Sequence, residues 1–287
     1  MRENVSAWAY REKGLLSEVW NKTMAIALLV IDPQIDFCDP EIGALPVPGA
    51  ARDMARLARM IVRLAPRLDT VHVTLDTHHL LDVAHPLFWQ NNAGEHPAPF
   101  TLISTADVEQ GRWQARPNDQ ARALAYVRAL DTQGRYTLCI WPPHCLLGSA
   151  GHAVMPDVFA ALLAWEQEGH IVDYVQKGTN IYTEHYSALR AEVPDRADPS
   201  TLLNIRLRDA LEQADLIVVA GEAGSHCVAN TVRDLADSFA DPAYVRKLVL
   251  LSDATSAVRG FEAYQQSFLQ DLTARGMQVS TTLEFLA

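Results

Sequence analysis

The chain lacks any long apolar run. Across its 287 residues, no stretch reaches the roughly 18 residues that a membrane helix needs. The first apolar run, Met24 to Ile31, is cut by Asp32. A secretory leader would carry its apolar segment earlier, followed by small residues and a cleavage site. A buried strand and a cytoplasmic protein are therefore expected, with no membrane partner. Cysteine is scarce too. Four cysteines in a chain this long do not suggest a disulfide framework. Each is expected to be reduced, as core filler or as chemistry. Basic runs are missing, and the formal net charge is -11, which argues against a nucleic-acid partner. The charges are scattered, as on an ordinary solvated surface. There is no internal repeat and no low-complexity linker.

What the sequence does contain is alternation. Short apolar runs predict strands at Ala25–Ile31, Thr70–Leu75, Thr137–Trp141, Ile171–Gln176, Leu216–Ala220 and Lys247–Leu251, with a short one near Met277–Thr281. Amphipathic segments between them predict helices at Ala50–Leu64, Asp119–Leu130, Pro156–Gln167, Leu202–Gln213, Ser225–Phe239 and Phe261–Ala274. In the first of these, Met54, Leu57, Ala58, Ile61 and Val62 recur at helical spacing. Strand–helix alternation predicts a three-layer α/β/α domain over 24–287, with a mostly parallel, six-stranded, doubly wound sheet. Residues 1–23 read as an N-terminal extension. Residues 86–118, rich in Pro, Gly, Asn and Gln, read as a long excursion of the kind that carries function or forms a lid.

Ligands of such sheets bind beyond the carboxyl ends of the strands. Five predicted strand ends carry chemically capable side chains: Asp32, then Asp76 and His78, then His144, then Lys177, then the Gly221–Cys227 turn. Cys227 follows two glycines and opens a helix, with Ser225 placed to cap it. Unpaired N–H groups and the dipole at a helix N-terminus favour thiolate, and the same N–H groups suit a developing oxyanion. Taken alone, the residue reads equally as a buried structural cysteine. "GEAGSH" is not G-x-G-x-x-G, so a dinucleotide fingerprint is not supported.

A thiol nucleophile needs a proton acceptor that can return the proton to a leaving amine. Asp32, in "VIDPQIDF", ends a strand that should be central, where apolar neighbours raise a carboxyl pKa. Lys177, in "VDYVQKGTN", would set a positive charge between the two. Singly, Asp32 also reads as a turn residue and Lys177 as a surface one. Asp76 and His78 alternate onto one face of an extended chain. With His144, in "WPPHCLLGS", they form a donor set for zinc, iron or manganese. His79 and His85 compete as ligands, while His72 lies within a strand and reads as structural.

Together these residues resemble the nicotinamidase branch of the isochorismatase-like cysteine hydrolases, over roughly residues 24–285. The similarity rests on "ALLVIDPQIDF…GALPVPGA", "LDTHHLLDVAHP", "IWPPHCLLGSAG", "VQKG…YS" and "VAGEAGSHCVANTVRDLA". It implies a catalytic triad of Asp32, Lys177 and Cys227. It implies a divalent metal, zinc before iron or manganese, held by Asp76, His78 and His144. A cis peptide between Glu222 and Ala223 would aim the Ala223 and Cys227 N–H groups at the oxyanion. Phe37, Trp141 and Tyr186 match aromatics that hold a pyridine ring. The implied reaction releases ammonia from nicotinamide through a thioester, as in NAD salvage. Homo-oligomers are common in such families, although no residue here demonstrates one.

The departures fall on the walls of the pocket. They are the excursion, the extension, and Ala188-Leu189 where a phenylalanine is often near. Glu184 and His185 either meet substrate or line a loop. The competing readings are a hydrolase of another small amide or carbamoyl compound, and a non-catalytic partner-binding domain. An isochorismate hydrolase is disfavoured, because that branch typically lacks the cysteine and the metal ligands.

Overall fold

The computed structural model describes residues 24–133 and 135–287. The expected extension at 1–23 lies outside the described residues. Six parallel strands build the main sheet: β1 (Ile26–Ile31), β2 (Thr70–Asp76), β3 (Asp173–Lys177), β4 (Leu216–Gly221), β5 (Leu248–Leu251) and β6 (Gln278–Ser280). Their spatial order is β6-β5-β4-β1-β2-β3. The longer helices are α1 (Ala50–Leu64), α2 (Gln120–Gln133), α3 (Pro156–Gln167), α4 (Ile205–Glu212), α5 (Cys227–Ser238) and α6 (Glu262–Ala274). Helix α1 packs on α3, and α5 on α6.

Strand β1 is apolar throughout, IALLVI, and every residue of it is buried. That is the composition of a strand covered on both faces. It sits between β2 and β4, with Leu28 opposite Val71 on one side and Val30 opposite Ala220 on the other. From β1 the chain first fills one side of the sheet, then returns to fill the other. The order of connection therefore reverses at β1 and β4, and a crevice opens beyond their carboxyl ends. Among the described residues no helix is long and apolar enough to cross a membrane.

Two expectations need correction. Thr137–Trp141 is not a strand of the main sheet. Only Leu138–Cys139 is extended, and it pairs antiparallel with Leu102–Ile103. The sixth strand of the main sheet is instead the short C-terminal one. A brief apolar run reads the same in either setting, and here the 86–118 excursion supplies its partner. That excursion is structured: Trp89–Gln90 pairs with Gln114–Ala115, and Ser104 and Asp107 form a capping box at the start of a helix over Thr105–Glu109. In α1, Val62 is 60% exposed while Met54, Leu57, Ala58 and Ile61 are buried. At about 100° per residue, Val62 lies roughly 90° from the centre of that stripe, outside the covered face.

Candidate active site

The chain leaves β1 at Asp32, which is fully buried and takes a positive φ of 45°. Aspartate tolerates that region better than most residues. Thr74 on β2 fixes it twice: the Asp32 N–H donates to Thr74 Oγ1 (3.0 Å), and that hydroxyl donates to Asp32 Oδ1 (2.5 Å). Two residues on, Gln34 pairs its amide with the Asp76 backbone. Its Nε2 donates to the Asp76 carbonyl (2.8 Å), and its Oε1 accepts from the Asp76 N–H (2.7 Å). The ends of β1 and β2 are thereby tied together. Across the next ladder, Asp76 lies opposite Lys177.

The turn after β4 is fastened by backbone bonds. Glu222 N–H donates to Ile31 O (2.8 Å), Gly221 N–H to Ala254 O (2.9 Å) and Gly224 N–H to Ser256 O (2.7 Å). Gly221 has φ +117°, and a Cβ there would fall 2.0 Å from Ile31 O, so only glycine fits. The Glu222–Ala223 peptide is cis. Cys227 is the first residue of α5 and 5% exposed. Ser225 does not cap this helix. Its Oγ pairs with His226 Nδ1 (2.9 Å) and accepts from the Val258 N–H (3.1 Å), and the cap residue is His226, without a side-chain cap bond.

Lys177, 2% exposed, joins the two halves of the site. Its Nζ lies 3.0 Å from Asp32 Oδ2 and 2.9 Å from Asp76 Oδ1. It also lies 2.9 Å from the His185 carbonyl and 3.6 Å from Cys227 Sγ. An ammonium has three donors, and four acceptors surround this one, the thiol farthest. Burial pulls the Lys177 pKa down, but Asp32 and Asp76 outweigh it and hold the ammonium charged, well above the usual lysine range. Burial raises the Asp32 pKa, with Lys177 opposing. Burial likewise pushes the Cys227 thiol well up, against Lys177. The thiolate bias expected of a helix N-terminus is thus overridden by desolvation. The resting Cys227 side chain is a thiol, with Asp32 beside it.

A second donor group adjoins the first. Asp76 Oδ2 lies 3.1 Å from His78 Nε2 and 3.5 Å from His144 Nε2. His144 Nδ1 donates to the Pro142 carbonyl (2.9 Å), and His78 Nδ1 bonds Asp82 Oδ2 (3.0 Å). Bonds at Nδ1 leave both Nε2 lone pairs facing the carboxylate, the arrangement of metal-ligating histidines. All three residues offer ligand atoms within 4.8 Å of one another, so the donor set fits a divalent cation. His144 is brought there without a main-sheet strand. His78 N–H donates to Cys145 O (3.1 Å) and Leu147 N–H to His78 O (3.0 Å), while Asp36 Oδ2 accepts from the Cys145 N–H (2.6 Å). Of the competing histidines, His79 is exposed. His85 is buried beside the group, its ring 5.0 Å from that of His78. Its Nδ1 donates to His79 O (3.0 Å), and its Nε2 has no partner. His72 bonds Asp173 across the sheet (2.9 Å), a structural role.

No family model and no curated protein matches the chain. Solved structures do. Yeast nicotinamidase superposes with a TM-score of 0.60 at 18% identity, covering 88% of this chain and 98% of that one. A nicotinamidase pyrazinamidase of Acinetobacter baumanii gives 0.58 at 20%, covering 92% and 99%. A pyrazinamidase of Pyrococcus horikoshii in complex with zinc gives 0.51 at 17%, covering 89% and 98%. The chain has the nicotinamidase fold.

Within this nicotinamidase fold, Phe37, Trp141, Tyr186, Ala223 and Cys227 line one cavity together with Asp76 and His144. Trp141 Nε1 donates to the Tyr186 hydroxyl (3.0 Å). Leu45, His226 and Val258 complete the wall and were not expected from the sequence. For His226 the signal was adjacency to the cysteine. Burial lowers its pKa to about 3, so it is neutral, and its ring sits 5.3 Å from Trp141 and 5.1 Å from Tyr186. The two open cases divide. Glu184 lines the cavity with Oε2 unpartnered, and burial raises its pKa. His185 lies behind it, accepting from Lys177 through its carbonyl and from the Gly178 N–H (3.2 Å) through Nδ1.

Proposed function

We propose that the protein is a thiol amidohydrolase that releases ammonia from a small aromatic amide, with nicotinamide as the first substrate to test. The observation that carries this reading is that Lys177 touches both Asp32 and Cys227, and that Cys227 in turn lines an aromatic cavity that also receives Asp76 and His144.

Asp32 takes the Cys227 thiol proton, which its raised pKa suits. Lys177, charged and in contact with both, holds the pair together and stabilises the thiolate as it forms. The sulfur attacks the amide carbon. The oxyanion is received by the Ala223 and Cys227 N–H groups. The C–N bond breaks as Asp32 protonates the leaving nitrogen, and ammonia departs. Water then attacks the thioester while Asp32 accepts its proton, and the Cys227 sulfur leaves and is reprotonated. Phe37, Trp141 and Tyr186 hold the ring. Asp76, His78 and His144 would bind a divalent cation; zinc suits two imidazoles and a carboxylate best, ahead of iron or manganese. When bound, that ion supplies a Lewis-acid contact that orients the ring nitrogen.

The test is ammonia release from nicotinamide, with Cys227→Ala protein alongside. Release by the unmodified chain alone is expected. Equal release by both would sink the thiol mechanism. No release from folded, metal-replete protein would exclude nicotinamide as substrate.

A further inference from the structure

The larger of two adjoining spaces lies away from the sulfur. The cavity around Cys227 amounts to about 20 Å³. Next to it lies a cleft of about 620 Å³, well inside the range of small-molecule sites. Leu45 and Val258 line both spaces, so two aliphatic side chains form the partition between them. Pro46, Pro99, Phe100 and Pro142 extend the apolar wall outward, and Arg259 is the one charged residue lining the cleft. Pro99 and Phe100 come from the 86–118 excursion.

Phe100 is the telling residue. The residue is 52% exposed and its backbone takes φ +68°, a region a bulky residue seldom occupies. Such conformations persist where the surroundings enforce them and cluster at ligand-binding sites. Here the Phe100 N–H donates to Ile140 O (2.5 Å). The ring stands edge-on to Trp141 at 5.8 Å. Trp141 thus lines the inner cavity and also touches Phe100.

We propose that this cleft is a second substrate subsite, taking an aromatic or apolar substituent of the amide whose far end is anionic and meets Arg259. The preferred substrates are then substituted aromatic carboxamides. The proposal rests on the amidase reading: the carboxamide occupies the inner cavity, and the substituent passes between Leu45 and Val258.

Calorimetric titration of the zinc-loaded full chain carrying Cys227→Ala measures binding apart from turnover. The ligands are nicotinamide, its 2-, 4-, 5- and 6-phenyl derivatives, and the same four with a para-carboxylate on the phenyl ring. At least one phenyl isomer is expected to bind tenfold or more tighter than nicotinamide, and its carboxylate a further threefold. Adding Phe100→Asn, which tolerates the positive φ, should erase the phenyl gain and leave nicotinamide affinity unchanged. Adding Arg259→Ala should erase only the carboxylate gain. If no derivative binds more tightly than nicotinamide, or none binds at all, the subsite is refuted. Gains that survive both substitutions refute it as well. Ammonia release from nicotinamide by the unmodified chain judges the amidase reading separately.

Discussion

Replacing Lys177 with methionine keeps the length of the side chain and removes its charge. In the native site that charge lies within 3.0 Å of two buried carboxylates, Asp32 and Asp76. No other lysine or arginine contacts either carboxylate among the described residues. Removing one partner of a buried ion pair costs about 3–5 kcal/mol, because the charge left behind is uncompensated. Domains are typically stable by about 5–15 kcal/mol, so the variant should fold with a large deficit. The deficit should depend on pH. Burial already raises the Asp32 pKa against Lys177; without the lysine only the Thr74 hydroxyl opposes that rise. A carboxyl with a folded pKa above its unfolded value binds more protons when folded, so stability falls as pH rises. The loss should be largest near pH 8 and shrink toward pH 5, as Asp32 takes a proton. Urea unfolding of both metal-free proteins, followed by far-UV circular dichroism at pH 5, 6.5 and 8, reads this directly. Ammonia release should fall at least a hundredfold. An unchanged urea midpoint at pH 8 would mean that Lys177 does not neutralise these carboxylates, and the account of the site would fail.

Three further outcomes are expected. Asp76→Asn should lower bound zinc from stoichiometric to a small fraction, measured by elemental analysis after dialysis; full retention would overturn the donor set. Glu192 is 4% exposed with neither oxygen hydrogen-bonded, and burial lifts its pKa to about 7 against Arg135. Its folded pKa exceeds its unfolded one, so it destabilises as pH rises; between pH 5 and 8 the native chain should lose about 2.5 kcal/mol relative to Glu192→Gln. Parallel pH profiles for the two proteins would refute that. Gly221→Ala should cost on the order of 3 kcal/mol and displace the Cys227 turn, since a Cβ meets Ile31 O; a normal melting temperature with normal turnover would contradict the close approach.

Much of this protein is legible one residue at a time. The apolar runs of β1, β2, β4 and β5 and the periodicity of α1 and α3 are local properties, and the structure keeps their boundaries within about a residue. Asp32, Asp76, Lys177 and Cys227 are adjacent in space because parallel strands bring their carboxyl ends to one edge, which strand–helix alternation already dictates. Other features depend on partners far away in the chain. Leu138–Cys139 left the main sheet because the excursion offered it Leu102–Ile103. His144 joined Asp76 through bonds from His78 and Asp36, which no spacing encodes. Ser225 gave up its capping role to Val258 and His226. The largest reversal is electrostatic. A helix N-terminus and a lysine are visible in sequence and argue for thiolate. The completeness of burial around Cys227 is set only when the whole pocket closes, and desolvation then outweighs both. The sequence by itself therefore determined which groups meet at the sheet edge, because strand order and periodicity are local and repetitive. Tertiary structure alone decided their protonation and the walls around them, because dielectric and cavity shape belong to no single segment.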